Sequence, residues 1–208
     1  MVYLSDPVIA RLPVAETGDP LVDLREIPAL RVDGRLADPD GAYARLRSDV
    51  ANRLVIAQTL LPPGLFLLIV EGFRPAALQR QYFEAHVERL RATHPERDDG
   101  WLRARAGRYV SPPEVAPHVA GAAGDLTLGT AAGRELWMGT EVNDTDTEDC
   151  HTGSRDISAE ARANRDVLIA ALTGAGLVNY PTEWWHWSFG DRYWAFLTGA
   201  PAAHFGPL

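Results

Sequence analysis

Apolar positions recur along the chain at two spacings, and the spacing changes where Pro and Gly cluster. Over residues 40–61, Tyr43, Leu46, Val50, Leu54 and Ala57 stand three or four apart. That spacing predicts one helix with a single apolar stripe, stopped by Pro62-Pro63-Gly64. Leu65 to Val70 is an unbroken apolar run of strand length behind that turn, the mark of a buried strand. A second stripe, Leu78, Tyr82, Ala85 and Leu90, predicts a helix over 75–94 with Pro75 in its first turn. Asp98 to Val110 reads as a shorter helix, closed by Ser111-Pro112-Pro113. Leu126-Thr127-Leu128 reads as a strand, Gly129 to Gly133 as a hairpin turn, and Glu135 to Met138 as the returning strand. Ser158 is placed to cap a helix over 158–172, with Ala161, Val167, Leu168 and Ala171 facing inward. Leu177 to Tyr180 and Trp184 to Phe189 read as strands around Pro181-Thr182.

Residues 1–38 carry Pro7, Pro13, Pro20 and Pro28, which block long helices, so extended segments are expected there, with Val22 to Arg25 as a short edge strand. The class expected is α+β: a small antiparallel sheet with helices 40–61, 75–94 and 158–172 on its apolar face. One domain over 1–208 is expected, with 1–20 and 199–208 peripheral. Residues 139–156 have loop composition, and a loop that long is more often functional than idle.

Composition narrows the partners. A net charge of −8 argues against nucleic acid, whose phosphates need a basic face. All 20 basic residues are arginine, which reads as genome bias. A single cysteine, Cys150, excludes an internal disulfide and a multi-Cys zinc site, and reads as an inert thiol. The start Met1-Val2-Tyr3-Leu4 lacks a signal peptide's basic and apolar regions, and Leu65 to Val70 is too short to span a bilayer. A cytoplasmic protein without a membrane partner is the expectation.

Candidate chemistry concentrates in two stretches. His118 and Asp125 stand seven apart with only small or β-branched residues between them, and Gly121 and Gly124 let the chain bend there. Glu183-Trp184-Trp185-His186 adds a second histidine and a second carboxylate. Two His and one Asp suit Zn²⁺ with a fourth position open, and the remaining Glu suits a general base. For either histidine alone, a structural hydrogen bond is the alternative. Arg74, at a strand-to-helix junction, suits an oxyanion donor or a structural partner of Glu71. Trp184, Trp185 and Trp187 shield the site or pack the core. His86 and His94 read as solvated helix residues, His151 as a loop residue, and His204 as part of a poorly ordered tail.

Glu71-Gly72-Phe73-Arg74-Pro75, then His118-x-x-Gly121-x-Ala123-x-Asp125, then Glu183-Trp184-Trp185-His186 resemble, in order and spacing, the zinc D-alanyl-D-alanine dipeptidases of the VanX type. Met138-Gly139-Thr140 before an acidic loop, and Asn164-Arg165 on the following helix, resemble them too, and the likeness runs from about residue 20 to 198. The resemblance implies one Zn²⁺ per chain on His118, Asp125 and His186, Glu183 as general base, and Arg74 polarising the scissile carbonyl. It implies cytoplasmic cleavage of D-Ala-D-Ala, a step of peptidoglycan metabolism. Two departures bear on substrate binding. Ala116 stands where the family commonly has Ser, and Glu141, Asn143 and Asp144 compete for the acid that receives the substrate ammonium, with Asp144 favoured.

The nearest rival is a D,D- or L,D-carboxypeptidase acting on longer peptidoglycan stems. The 139–156 loop and the segment 91–108 are suitable pocket walls, which favours the dipeptide. A rival of another class is a non-catalytic zinc-binding module like the Hedgehog signalling domain, which has no use for Glu183 and Arg74. A His/Asp network without metal is a third reading.

Overall fold

The strand predicted from the apolar run Leu65 to Val70 lies inside the main sheet, and the site is built at its C-terminal end. The computed structural model describes residues 2–208; Met1, which begins the segment read as lacking a leader, lies outside them. In chain order the elements are α1 (Pro7–Ala10), β1 (Leu21–Asp23), β2 (Arg31–Val32), β3 (Arg45–Arg47), α2 (Ser48–Leu60) and β4 (Leu65–Glu71). Then come α3 (Ala76–Thr93), α4 (Asp99–Ala106), β5 (Ala123–Thr130), α5 (Ala159–Gly174), β6 (Val178–Asn179), β7 (His186–Ser188) and α6 (Arg192–Thr198). Single 3₁₀ turns lie at Leu24–Glu26, Ala42–Ala44, Pro117–Ala120 and Glu148–Cys150.

The architecture is α+β. The larger sheet has the order β2-β4-β5-β7-β6, and β1 pairs with β3 separately. Every pairing is antiparallel except β2 on β4, where an all-antiparallel sheet was expected. The chain between β2 and β4 crosses over through α2, the kind of connection a parallel pair requires. Side chains alternate across β5: Leu126 and Leu128 enter the main core with Leu54, Ala57, Leu168 and Leu172, while Asp125 takes the opposite face.

Four further expectations need correction. The helix predicted over 40–61 begins only at Ser48. Asp38 accepts the Ala42 and Tyr43 amides, Gly41 is left-handed, and Arg45–Arg47 pairs as a strand with Leu21–Asp23. Tyr43 and Leu46 are buried by this route, so the stripe reports burial there and not helix.

Glu135 to Met138 does not return as a strand; a single bridge joins Glu135 to Gly129. Asn164 Nδ2 donates to the Trp137 carbonyl at 2.9 Å and Arg165 Nε to that of Met138 at 2.6 Å, drawing the segment onto α5.

The apolar residues of α3 pack on α4 around Phe83, Val87, Leu102 and Ala106, a cluster separate from the main core, so α2 and α5 do the covering assigned to three helices.

The tail is ordered inward. Ala203 bridges Val14, Phe205 joins the main core beneath the Arg47 guanidinium, and His204 stacks on Trp194. Among the described residues, no helix is long and apolar enough to cross a membrane.

Candidate active site

Three strands bring three polar residues into one row. Glu71 is the register partner of Asp125, and Asp125 is the partner of His186. A bulge between Ile69 and Glu71 places one extra residue in β4, which re-aims Glu71 at the strand end. His118 comes from the 3₁₀ turn Pro117–Ala120, not from a strand, and Gly121 closes that turn at φ +66°. A Cβ there would strike the Leu21 side chain, so Gly121 lets the chain swing from the turn into β5. Gly124, the other expected bend, lies within β5.

The geometry fits a metal ion. Among the described residues, His118, Asp125 and His186 form a buried group whose donor atoms all lie within 4.8 Å of one another. His118 Nε2 is 3.2 Å from His186 Nδ1 and 3.3 Å from Asp125 Oδ1, and His186 Nδ1 is 3.0 Å from the same oxygen. Bonds of roughly 2.0–2.1 Å in a tetrahedron give donor separations of about 3.3 Å, so these edges match three corners of such a site. The other ring nitrogen of His186, Nε2, lies outside these separations and is buried without a hydrogen-bond partner. Burial opposes charge on Asp125, but His118 and His186 outweigh it and hold the carboxyl well below the ordinary carboxylate range. Burial likewise opposes protonation of His118, and Asp125 outweighs it, raising that imidazole.

Beside the donors lies Glu183, in the turn before β7, with Oε2 4.0 Å from His186 Nδ1. The side chain is buried, and burial pushes its carboxyl up to about 7, within the range of a group that exchanges protons near neutrality. Arg74 follows β4, and its backbone amide donates to the His118 carbonyl at 3.2 Å. Its Nε donates to Glu71 Oε1 at 2.7 Å, its Nη2 to Glu71 Oε2, and its Nη1 to Gln79 Oε1 at 2.7 Å. Burial works against its charge and Glu71 outweighs this, so the guanidinium stays charged. Arg74 is thus paired with Glu71, as one reading had it, and it also lines the cavity with Asp125 and Glu183.

That cavity has a volume of about 880 Å³. Ala116 and Asp144 line it, as does Asn143, while Glu141 does not. One oxygen of Asp144 accepts the Asp146 amide at 3.1 Å, which fixes the acid in the loop. Both ends of this loop are held by Arg165, which donates to the carbonyls of Met138, Asp149 and His151. All three tryptophans are buried, and of these Trp185 also lines the cavity. Cys150 is buried, and burial pushes its thiol up to about 11.

Three cavity residues stand outside the sequence expectation. Gln79 is 2% exposed and bridges Arg74 to the Ser111 carbonyl, yet one glutamine on a polar helix gives no sign of this in sequence. His86, read as solvated, and Arg89, not singled out in the sequence, line the cavity; their three-residue spacing behind Tyr82 and Ala85 was the available signal. His94, His151 and His204 lie outside the lining.

The chain is similar to known peptidases. A curated D-alanyl-D-alanine dipeptidase of Synechocystis sp. is 24% identical over 89% of this chain and 87% of its own length. The D-alanyl-D-alanine dipeptidase of Escherichia coli K12 is 30% identical over 66% of this chain and 60% of its own. Among solved structures, the LdcB LD-carboxypeptidase is 16% identical, with 90% of this chain and 76% of that one covered at a TM-score of 0.49. A family profile described as D-ala-D-ala dipeptidase matches residues 19–199. That match takes in each motif gathered at the cavity, and the chain belongs to this family, Peptidase_M15.

Proposed function

We propose that this protein is a zinc peptidase that hydrolyses D-Ala-D-Ala, with His118, Asp125 and His186 as the metal ligands. The observation that carries the reading is the set of donor separations, 3.0 to 3.3 Å, with a buried carboxylate, Glu183, beside them. Two imidazoles and one carboxylate are an ordinary donor set for zinc at a catalytic site with an open position. Zinc, when bound, supplies a Lewis acid that activates water and polarises a carbonyl.

The chain's own residues do the rest. Glu183 takes a proton from the attacking water onto a carboxylate oxygen and returns it to the leaving amine, so the leaving group departs neutral. The raised affinity of Glu183 for a proton suits both halves of that transfer. Arg74 turns guanidinium donors toward the scissile carbonyl, and its bonds to Glu71 and Gln79 hold the fork before substrate arrives. Asp144 receives the substrate ammonium at the cavity lip. Ala116 lines the pocket without a hydroxyl, so the substrate carboxylate is met by other groups there. A non-catalytic zinc module has no need for a base and an oxyanion donor set this closely.

The test is release of free D-alanine from D-Ala-D-Ala by zinc-loaded and chelator-stripped protein, with L-Ala-L-Ala as control. Zinc-dependent release from the D,D substrate is expected. A protein that holds stoichiometric zinc and releases no D-alanine would overturn the substrate assignment.

A further inference from the structure

The cavity is longer than a dipeptide. Gln79, Tyr82, His86 and Arg89 all line it from α3, at spacings of three, four and three that make one helical stripe. Ten residues of helix span ~15 Å, whereas two residues of extended peptide span only ~7 Å. The inner end of the stripe lies at the reaction centre, since Gln79 bonds Arg74, and the Arg74 guanidinium lies 5.0 Å from the Tyr82 ring centre. The outer end therefore stands roughly two residues beyond a bound dipeptide. The volume agrees, lying near the top of the about 300–1,000 Å³ range of small-molecule sites.

Charge distinguishes that outer end. Two arginines line the cavity, and Glu71 neutralises Arg74. Arg89 forms no ion pair among the described residues; its Nη2 meets His86 Nδ1 at 2.9 Å. Burial, with Arg89 and Arg105 nearby, holds His86 below its ordinary pKa, so its neutral ring accepts that bond and orients the guanidinium. The remaining donors of the Arg89 fork are left for a carboxylate.

We propose that Arg89, oriented by His86, forms a second subsite that binds a carboxylate about two residues beyond the dipeptide, so that the protein accepts longer, acidic peptides. The proposal rests on the peptidase reading above for what the peptide does there, and on the cavity alone for its binding. The carboxylate has two sources: an acidic side chain upstream of the scissile bond, or the terminus of a longer leaving segment.

The test is calorimetric titration into the zinc-loaded Glu183→Gln protein, so that turnover does not interfere. One pair of tetrapeptides ends in D-Ala-D-Ala and begins with Glu or with Gln. A second pair begins with D-Ala-D-Ala, is extended by two neutral residues, and ends in a free acid or an amide. In one pair the charged member is expected to bind about tenfold more tightly, and which pair it is names the source. Arg89→Ala in the same protein should erase that difference, and Arg89→Lys should keep part of it. Equal affinities within both pairs, or a difference that survives Arg89→Ala, would overturn the subsite. Intact discrimination in a protein whose wild type never hydrolyses D-Ala-D-Ala would overturn only the reaction assigned above.

Discussion

His118 Nδ1 lies 2.7 Å from the carbonyl oxygen of Gly72, so the imidazole donates its proton there and turns the lone pair of Nε2 toward Asp125 and His186. The motif that carries Arg74 thus sets the tautomer of a candidate ligand in a different motif. Gly72 permits this because a Cβ would collide with the backbone carbonyl of Arg45. Gly72→Ala should raise the zinc dissociation constant about 10- to 100-fold, read by chelator competition. Unchanged zinc affinity would show that the Gly72 carbonyl does not orient His118.

Glu183→Gln should lower kcat by about 10²- to 10⁴-fold while zinc content by atomic emission stays at one per chain. Loss of zinc instead would make Glu183 a ligand, and full activity would remove it from proton transfer.

Arg74→Lys gives up the two-pronged contact with Glu71 and the bond to Gln79. A fall in kcat of about 10²- to 10³-fold with KM little changed is expected for a group that acts on charge developing at the carbonyl. A rise in KM with kcat preserved would make Arg74 a ground-state binding residue.

Asp144→Asn should raise KM for the free dipeptide more than for its N-acetyl derivative, because only the free amine carries the charge that Asp144 would meet. Equal effects on the two substrates would assign the ammonium to another group.

Cys150 should be silent to thiol reagents. Its pKa is raised, so the thiolate is scarcer in the folded chain than in an exposed cysteine at any pH below about 11. At pH 8 a disulfide reagent should find no reactive thiol in native protein and one per chain in guanidinium chloride. Rapid labelling of native protein would mean that the segment Glu148–Cys150 opens readily.

The grouping of His118, Asp125 and His186 was legible because such chemistry is rare in sequence: a histidine and an aspartate among small residues, and a second histidine beside a glutamate, leave few alternatives. The strands Leu65–Glu71 and His186–Ser188 and the helices α3 and α5 followed from apolar runs and from Pro75 and Ser158 at their starts. What misled was periodicity without context. Tyr43 and Leu46 are buried like helix positions but belong to a turn and a strand, because Asp38, Gly41 and β1 impose the backbone. Gln79 was invisible because a buried glutamine looks like any surface glutamine until its partners, Arg74 and Ser111, are placed around it. Arg89 was passed over for a related reason: a cation on a polar helix becomes notable only when the opposite wall of the cavity is known.

Glu71, Asp125 and His186 occupy one row across three neighbouring strands. Side chains alternate faces along a strand, so a slip of one residue in β5 or β7 would carry Asp125 or His186 to the wrong side of the sheet. Such a misaligned chain would keep most of its backbone pairing and much of its spectroscopic signature, but it would lose the donor set. Zinc uptake at the proposed donor set would therefore act as a proofreader of strand alignment, and zinc present during refolding should enrich chains whose sheet has closed in the correct register.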